Sequence, residues 1–206
     1  RCTITFAEHT QAVWNAAFHE SGDYIASCSL DHSVRLWDLT SAKCRLAFRG
    51  HVDSVNEVCW QPGTNNFATG SSDKTVSLWD MRTGLCAQTL YGHLNSVNHL
   101  SFSTDGDVIV SCDADGMVKL WDVRMVAEIL SVDCGPHPAN KVAFDRASET
   151  VAVASDDGTV KCFNAGDGDM VAELRGHEDA VQGVLFDPFG KYVISCGSDA
   201  TFRLWA

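Results

Sequence analysis

Four histidines in this chain each stand at a fixed distance from a hydroxyl residue and an aspartate further along. They are His9 with Ser27 and Asp31, His51 with Thr69 and Asp73, His93 with Ser111 and Asp115, and His177 with Ser195 and Asp199. These residue types make a nucleophilic triad when a hydroxyl attacks, an imidazole takes its proton and a carboxylate orients the imidazole. Their placement argues for another use. All four sets lie on combs of period 42, and a reaction centre rarely recurs four times at constant spacing. Trp37, Trp79, Trp121 and Trp205 form one further comb, with Phe163 at its remaining position.

A repeat of this length means an array of supersecondary units, and the apolar pattern identifies the unit. Each carries four short strands. An aromatic marks the first, at Phe18, Trp60, Phe102, Phe144 and Phe186, and a turn rich in Gly, Pro, Asn and Asp follows it. An apolar second strand leads to a tight Asp turn and an alternating third strand that ends in Trp-Asp, as in Thr75-Val76-Ser77-Leu78-Trp79. The fourth, outer strand precedes the next Gly-His. Residues 1–6 match it in register and are expected to be such a strand, either belonging to an earlier unit or completing the last sheet.

Gly-His, Ser-x-Asp and Trp-Asp at this spacing resemble the WD40 repeat, over nearly the whole chain. The resemblance implies an all-β propeller of four-stranded blades around a channel. Five repeats are expected, at about 1–38, 39–80, 81–122, 123–164 and 165–206, as the last five blades of a seven-bladed ring. An open arc would leave strand edges unpaired. The resemblance also implies a network in each blade. Trp37, Trp79, Trp121 or Trp205 donates to Ser27, Thr69, Ser111 or Ser195, which meets the histidine, which meets Asp31, Asp73, Asp115 or Asp199. Such a chain satisfies polar groups that are costly to bury, and breaking a link costs roughly 1–3 kcal/mol. The fourth repeat has Gly135, Val153 and Phe163 at three of these positions, which predicts an apolar packing solution with Asp157 left without its usual partners. Its loop, Cys134-Gly135-Pro136-His137-Pro138, belongs either to a divergent blade or to one shaped for a partner.

Composition narrows the function. A net charge of −12 with 15 Lys and Arg disfavours nucleic acid and anionic membranes as partners. A basic or neutral protein surface is favoured. No apolar run is long enough to span a bilayer. The chain begins at Arg1 inside a repeat and reads as a piece of a longer protein. Nine cysteines without a close pair, at repeated positions (Cys28, Cys112, Cys196; Cys2, Cys44, Cys86), predict small buried side chains in a reducing compartment. No phosphate-cradling glycine loop, metal-ligand cluster or helical pattern is present, so no enzyme activity, metal, cofactor or small-molecule substrate is expected.

In WD40 proteins the variable positions that bind partners flank the start of the first strand and precede the turn Asp. Here the candidates are Trp14, Asn56, Asn98, Asn140 and Gln182, with Leu30, Ser72 and Asp156. Trp14 and Leu30 stand out as an apolar pair where other repeats carry Asn and Ser, and aromatics are favoured interface anchors. The strings at 43–93, 111–124 and 134–145 are similar to WD-repeat proteins of the central-pair apparatus of motile cilia and flagella. This implies a non-catalytic scaffold in the cytoplasm and axonemal cytoskeleton. Its contacts would be other central-apparatus proteins, with indirect microtubule association. The alternative rests on Trp79-Asp80-Met81-Arg82 and Trp121-Asp122-Val123-Arg124. These resemble the WDxR string of substrate receptors of cullin-four ubiquitin ligases, and make Arg82 and Arg124 adaptor contacts.

Overall fold

The computed structural model describes residues 1–206, and every regular element in it is a strand. The first sheet holds β1 (Val13–Phe18), β2 (Tyr24–Ser29), β3 (Ser33–Asp38) and β4 (Lys43–Arg49). The second holds β5 (Val55–Trp60), β6 (Asn66–Ser71), β7 (Thr75–Asp80) and β8 (Leu85–Tyr91). The third holds β9 (Val97–Phe102), β10 (Val108–Asp113), β11 (Met117–Asp122) and β12 (Ala127–Asp133). The fourth holds β13 (Ala139–Phe144), β14 (Thr150–Ser155), β15 (Thr159–Asn164) and β16 (Met170–Arg175). The fifth has three strands, β17 (Val181–Phe186), β18 (Val193–Gly197) and β19 (Phe202–Trp205). Strands follow chain order within each sheet and all pair antiparallel. These are propeller blades.

Neighbouring blades bury four apolar clusters between them, one per interface. Between the first two lie Val34, Phe48, Val55, Val58, Trp60, Phe67 and Trp79. The indole N–H of Trp60 also reaches across to the carbonyl of Ala17 at 3.0 Å. The repeated first-strand aromatic is thus an inter-blade wedge. Where no blade lies beside it the same position is bare: Phe18 is 67% exposed. At the other end of the arc Leu185, Phe202 and Leu204 are exposed, and the first and last blades share no packed interface.

Each first strand carries a register shift at its second residue. The shift falls between Val13 and Asn15, Val55 and Glu57, Ala139 and Lys141, and Val181 and Gly183, and at the matching place in β9. A bulge of this kind re-aims one side chain. The re-aimed residues are Trp14, Asn56, Asn98, Asn140 and Gln182.

Two expectations are corrected. Residues 1–6 form no strand: they pair neither with β1 nor with the open edge of β19. Phe6 instead packs on Trp37 with ring centres 4.8 Å apart, where Phe48 meets Trp79 edge-on at 5.8 Å. The cysteines also divide. Cys28 and Cys112 are fully buried, but Cys196 is exposed for want of a following blade, and Cys2 and Cys86 lie exposed at the outer rim. All nine are free thiols.

Candidate functional site

The network begins with the tight turn that carries its aspartate. In the second blade Asp73 accepts from the backbone N–H of Thr75 at 3.0 Å, which fixes the turn and aims the second carboxylate oxygen at His51. His51 Nδ1 lies 2.7 Å from Asp73 Oδ2, and His51 Nε2 lies 2.7 Å from Thr69 Oγ1. The Trp79 indole donates to the same hydroxyl at 2.8 Å. In the first blade His9 stands between Asp31 and Ser27, with Trp37 on the hydroxyl, every distance 2.8 Å. His177, Asp199, Ser195 and Trp205 repeat this at 2.8–2.9 Å. A carboxylate at Nδ1 sets the tautomer, so the hydroxyl donates to Nε2 and accepts from the indole. Thr69, Ser111 and Ser195 are at most 1% exposed. The indole occupies the hydroxyl oxygen from which a nucleophile would attack. The chemistry available is therefore hydrogen bonding in a closed chain. Burial alone would raise the carboxyls, but the bonds donated by His51 and Thr75 outweigh it at Asp73. Ser33 and His9 do so at Asp31, and Thr201 and His177 at Asp199, so all three are held below the usual carboxylate range.

The third blade departs from the expected residues. His93 Nδ1 bonds Asp113 Oδ2 at 2.7 Å, while Asp115 is exposed and bonds only the Asn95 side chain, at 2.8 Å. The carboxylate has moved two residues upstream into the position that Ser29 and Ser71 hold in the first two blades. From there Asp113 also accepts from the backbone N–H of Asp115 and Met117, both at 3.0 Å, so one side chain closes the turn and the network together. It is completely buried, and the bond from His93 and the Met117 N–H outweigh that burial, keeping its carboxyl below the ordinary range.

The fourth blade corrects the expectation of an unpaired Asp157. Lys161 Nζ reaches Asp157 Oδ2 at 2.7 Å and also bonds the Cys134 carbonyl, so an ammonium from the third strand takes the place of the missing imidazole. Together with Thr159, Lys161 outweighs burial and lowers the Asp157 carboxyl to about 2. The apolar part of the expectation holds, with Val153 and Phe163 buried in the cluster shared with Val110 and Val118.

Above these networks lies the end of the blades where the Asp turns and the loops into each first strand emerge. The bulge residues there are ties between blades. Asn56 Nδ2 donates to the Val97 carbonyl at 2.8 Å, Asn98 to Ala139 at 3.0 Å and Asn140 to Val181 at 2.9 Å. Asn56 also binds Ser72, which meets Ser96. Gln182, with no following blade, turns to Ser198 at 3.2 Å. Trp14 makes the equivalent tie, its indole donating to Ser54 Oγ at 2.9 Å, yet remains 56% exposed. Leu30 is 36% exposed, and Asp156 is exposed beside Asn140. Two residues of this face escaped the sequence reading: Val52 and Leu94, 79% and 78% exposed. Their signal was an apolar residue directly after Gly-His, where the other repeats have Thr10, Pro136 and Glu178. The same loops expose Asp53, Asp115, Glu178 and Asp179, with Lys74 as their one lysine or arginine. Arg82 and Arg124 lie at the opposite end of the blades, where Arg124 pairs with Asp107 at 2.8 Å.

The family model described as WD domain, G-beta repeat matches residues 1–38, 42–80, 84–122, 129–164 and 168–206. A segment of 45 residues is 42% identical to the TBC1 domain family member 31 of Xenopus tropicalis, covering 22% of this chain and 4% of that protein. A segment of 38 residues is 47% identical to the nuclear distribution protein nudF of Aspergillus niger, covering 18% of this chain and 9% of that protein. The matching segments thus span less than a tenth of either relative.

Proposed function

Because this chain belongs to the WD40 family, as five consecutive repeats, and such repeats scaffold protein–protein interactions, we propose that it is a non-catalytic interaction module of the axonemal central apparatus. The observation that carries the binding surface is Trp14. It is a large aromatic, more than half exposed, on the bulge position where three other blades spend an amide on the next carbonyl. A partner with an apolar anchor and basic flanks fits Trp14 and Leu30, because the surrounding loops are acidic. Exposed aromatic area of this kind is where binding energy concentrates. The axonemal assignment is supported by the strings at 43–93, 111–124 and 134–145, similar to the C-terminal propeller of sperm-associated antigen sixteen. The adaptor reading through Arg82 and Arg124 has less support, since Arg124 is already paired to Asp107 within the chain.

The test is to express tagged protein in cells with motile cilia, as wild type and as Trp14→Ala, and to compare localisation and neighbours by proximity labelling. Enrichment along the central pair, lost or redistributed in the variant while its melting temperature holds, supports the reading. Absence from the axoneme refutes the assignment, and unchanged neighbours refute the surface.

A further inference from the structure

Two residues before the tryptophan comb, the third strands carry Arg35, Ser77, Lys119, Lys161 and Arg203. Only the second blade lacks a basic side chain there. In three blades the cation is held by groups of the same groove. Arg35 donates to Glu8 at 2.7 Å and meets Cys44 Sγ at 3.7 Å. Lys119 Nζ donates to Glu128 at 2.7 Å and Ser131 at 3.2 Å, and lies 5.9 Å from the ring centre of Trp121. Lys161 donates to Asp157 and to the Cys134 carbonyl. Beside Ser77 there is instead a cleft of about 370 Å³, with Gly50, Val52, Asp73, Trp79, Thr89 and Tyr91 in its walls and no lysine or arginine. The cleft at the corresponding place in the first blade is lined by Arg35 and Arg49 and does not reach Trp37.

The 42-residue period matches the walls of this cleft to the groups that hold a cation elsewhere. Asp73 and Gly50 correspond to Asp157 and Cys134, the two acceptors of Lys161, and Thr89 corresponds to Ser131, an acceptor of Lys119. The arginine's acceptor is not kept, because Glu8 corresponds to Gly50, which has no carboxylate. We propose that the cleft beside Ser77 receives a lysine side chain from a partner protein, which supplies the cation that the third and fourth blades supply themselves. Val52 and Tyr91, 79% and 76% exposed, flank the methylene stem. The ammonium bonds Thr89 and the Gly50 carbonyl and faces Asp73, with Trp79 beneath it. The bonds from His51 and Thr75 keep Asp73 ionised at neutral pH, and a net charge of −12 draws a cationic partner. The site is separate from Trp14 and does not rest on the axonemal assignment.

The experiment titrates the whole chain with n-butylammonium chloride and follows the assigned indole N–H signals by NMR. The Trp79 signal should shift saturably while those of Trp37 and Trp121, whose grooves hold Arg35 and Lys119, stay in place. n-Butanol has the same stem without the charge and should bind at least about tenfold more weakly, since a charge-assisted hydrogen bond is lost. Ser77→Lys places the cation within the chain, as the buried Lys119 and Lys161 do at the same position, and should abolish the Trp79 shift. No saturable shift at Trp79, equal shifts at Trp37 and Trp121, butanol binding as tightly as butylammonium, or an undiminished shift in a folded Ser77→Lys would each overturn the proposal. If that variant does not fold, the comparison of butylammonium with butanol on the wild-type chain decides.

Discussion

Replacing Asp113 and Asp115 one at a time separates the observed network from the one read out of the repeat pattern. Asp113→Ala removes the acceptor for three donors, His93 Nδ1 and the backbone N–H groups of Asp115 and Met117, at a site with no access to water. Each buried donor left unpaired costs about 1–3 kcal/mol, and partial relaxation of the turn brings the total to about 3 kcal/mol. For a chain of this size that is a fall in melting temperature of about 6–12 °C. Asp115→Ala removes one exposed acceptor from Asn95 and should stay within about 0.5 kcal/mol of wild type. Urea denaturation followed by tryptophan fluorescence measures both, since Trp121 ends the affected network. Equal losses, or a larger loss in Asp115→Ala, would refute the shifted carboxylate.

Lys161→Met should destabilise by about 1–3 kcal/mol in the same assay, because Asp157 and the Cys134 carbonyl lose their cation. Adding Asp157→Asn should recover part of that, and a second variant no better than the first would argue against the pair. Trp14→Ala should change stability by less than about 1 kcal/mol, as it gives up one hydrogen bond and a half-exposed ring, while weakening partner capture. A large drop in melting temperature would make Trp14 a core residue. The acid limb of stability should reflect Asp31, Asp73, Asp113 and Asp199. Their carboxyls are lowered in the folded state, so their contribution is complete above the unfolded value of 3.8 and lost as pH falls below it. Melting temperatures that stay level from pH 5 down to pH 2 would count against these bonds.

The architecture was legible because it is written five times. A period of 42 with Trp37, Trp79, Trp121 and Trp205 in step leaves few alternatives to stacked four-stranded sheets, and strand positions within each repeat follow from two-residue alternation between turn signals. The exposed pair Trp14 and Leu30 was also visible, as a break in a comb otherwise filled by small and amide residues.

What the chain order could not convey is which side chains meet once the sheets stand side by side. Asp113 and Asp115 are two residues apart on either side of a tight turn, and only the turn's geometry shows which carboxylate reaches His93. Lys161 replaces an imidazole that a loop supplies in other blades, and its comb position does not single it out, because Arg35, Lys119 and Arg203 stand there too. Asn56, Asn98 and Asn140 read as candidate partner contacts in the sequence, whereas the bulges aim them at the next blade's carbonyls. Sequence alone determined the repeat, the blade and the residues that close the first, second and fifth blades. Tertiary structure decided the pairings between blades, because contacts across an interface depend on the relative placement of two sheets, and that placement is set by packing and not by spacing along the chain.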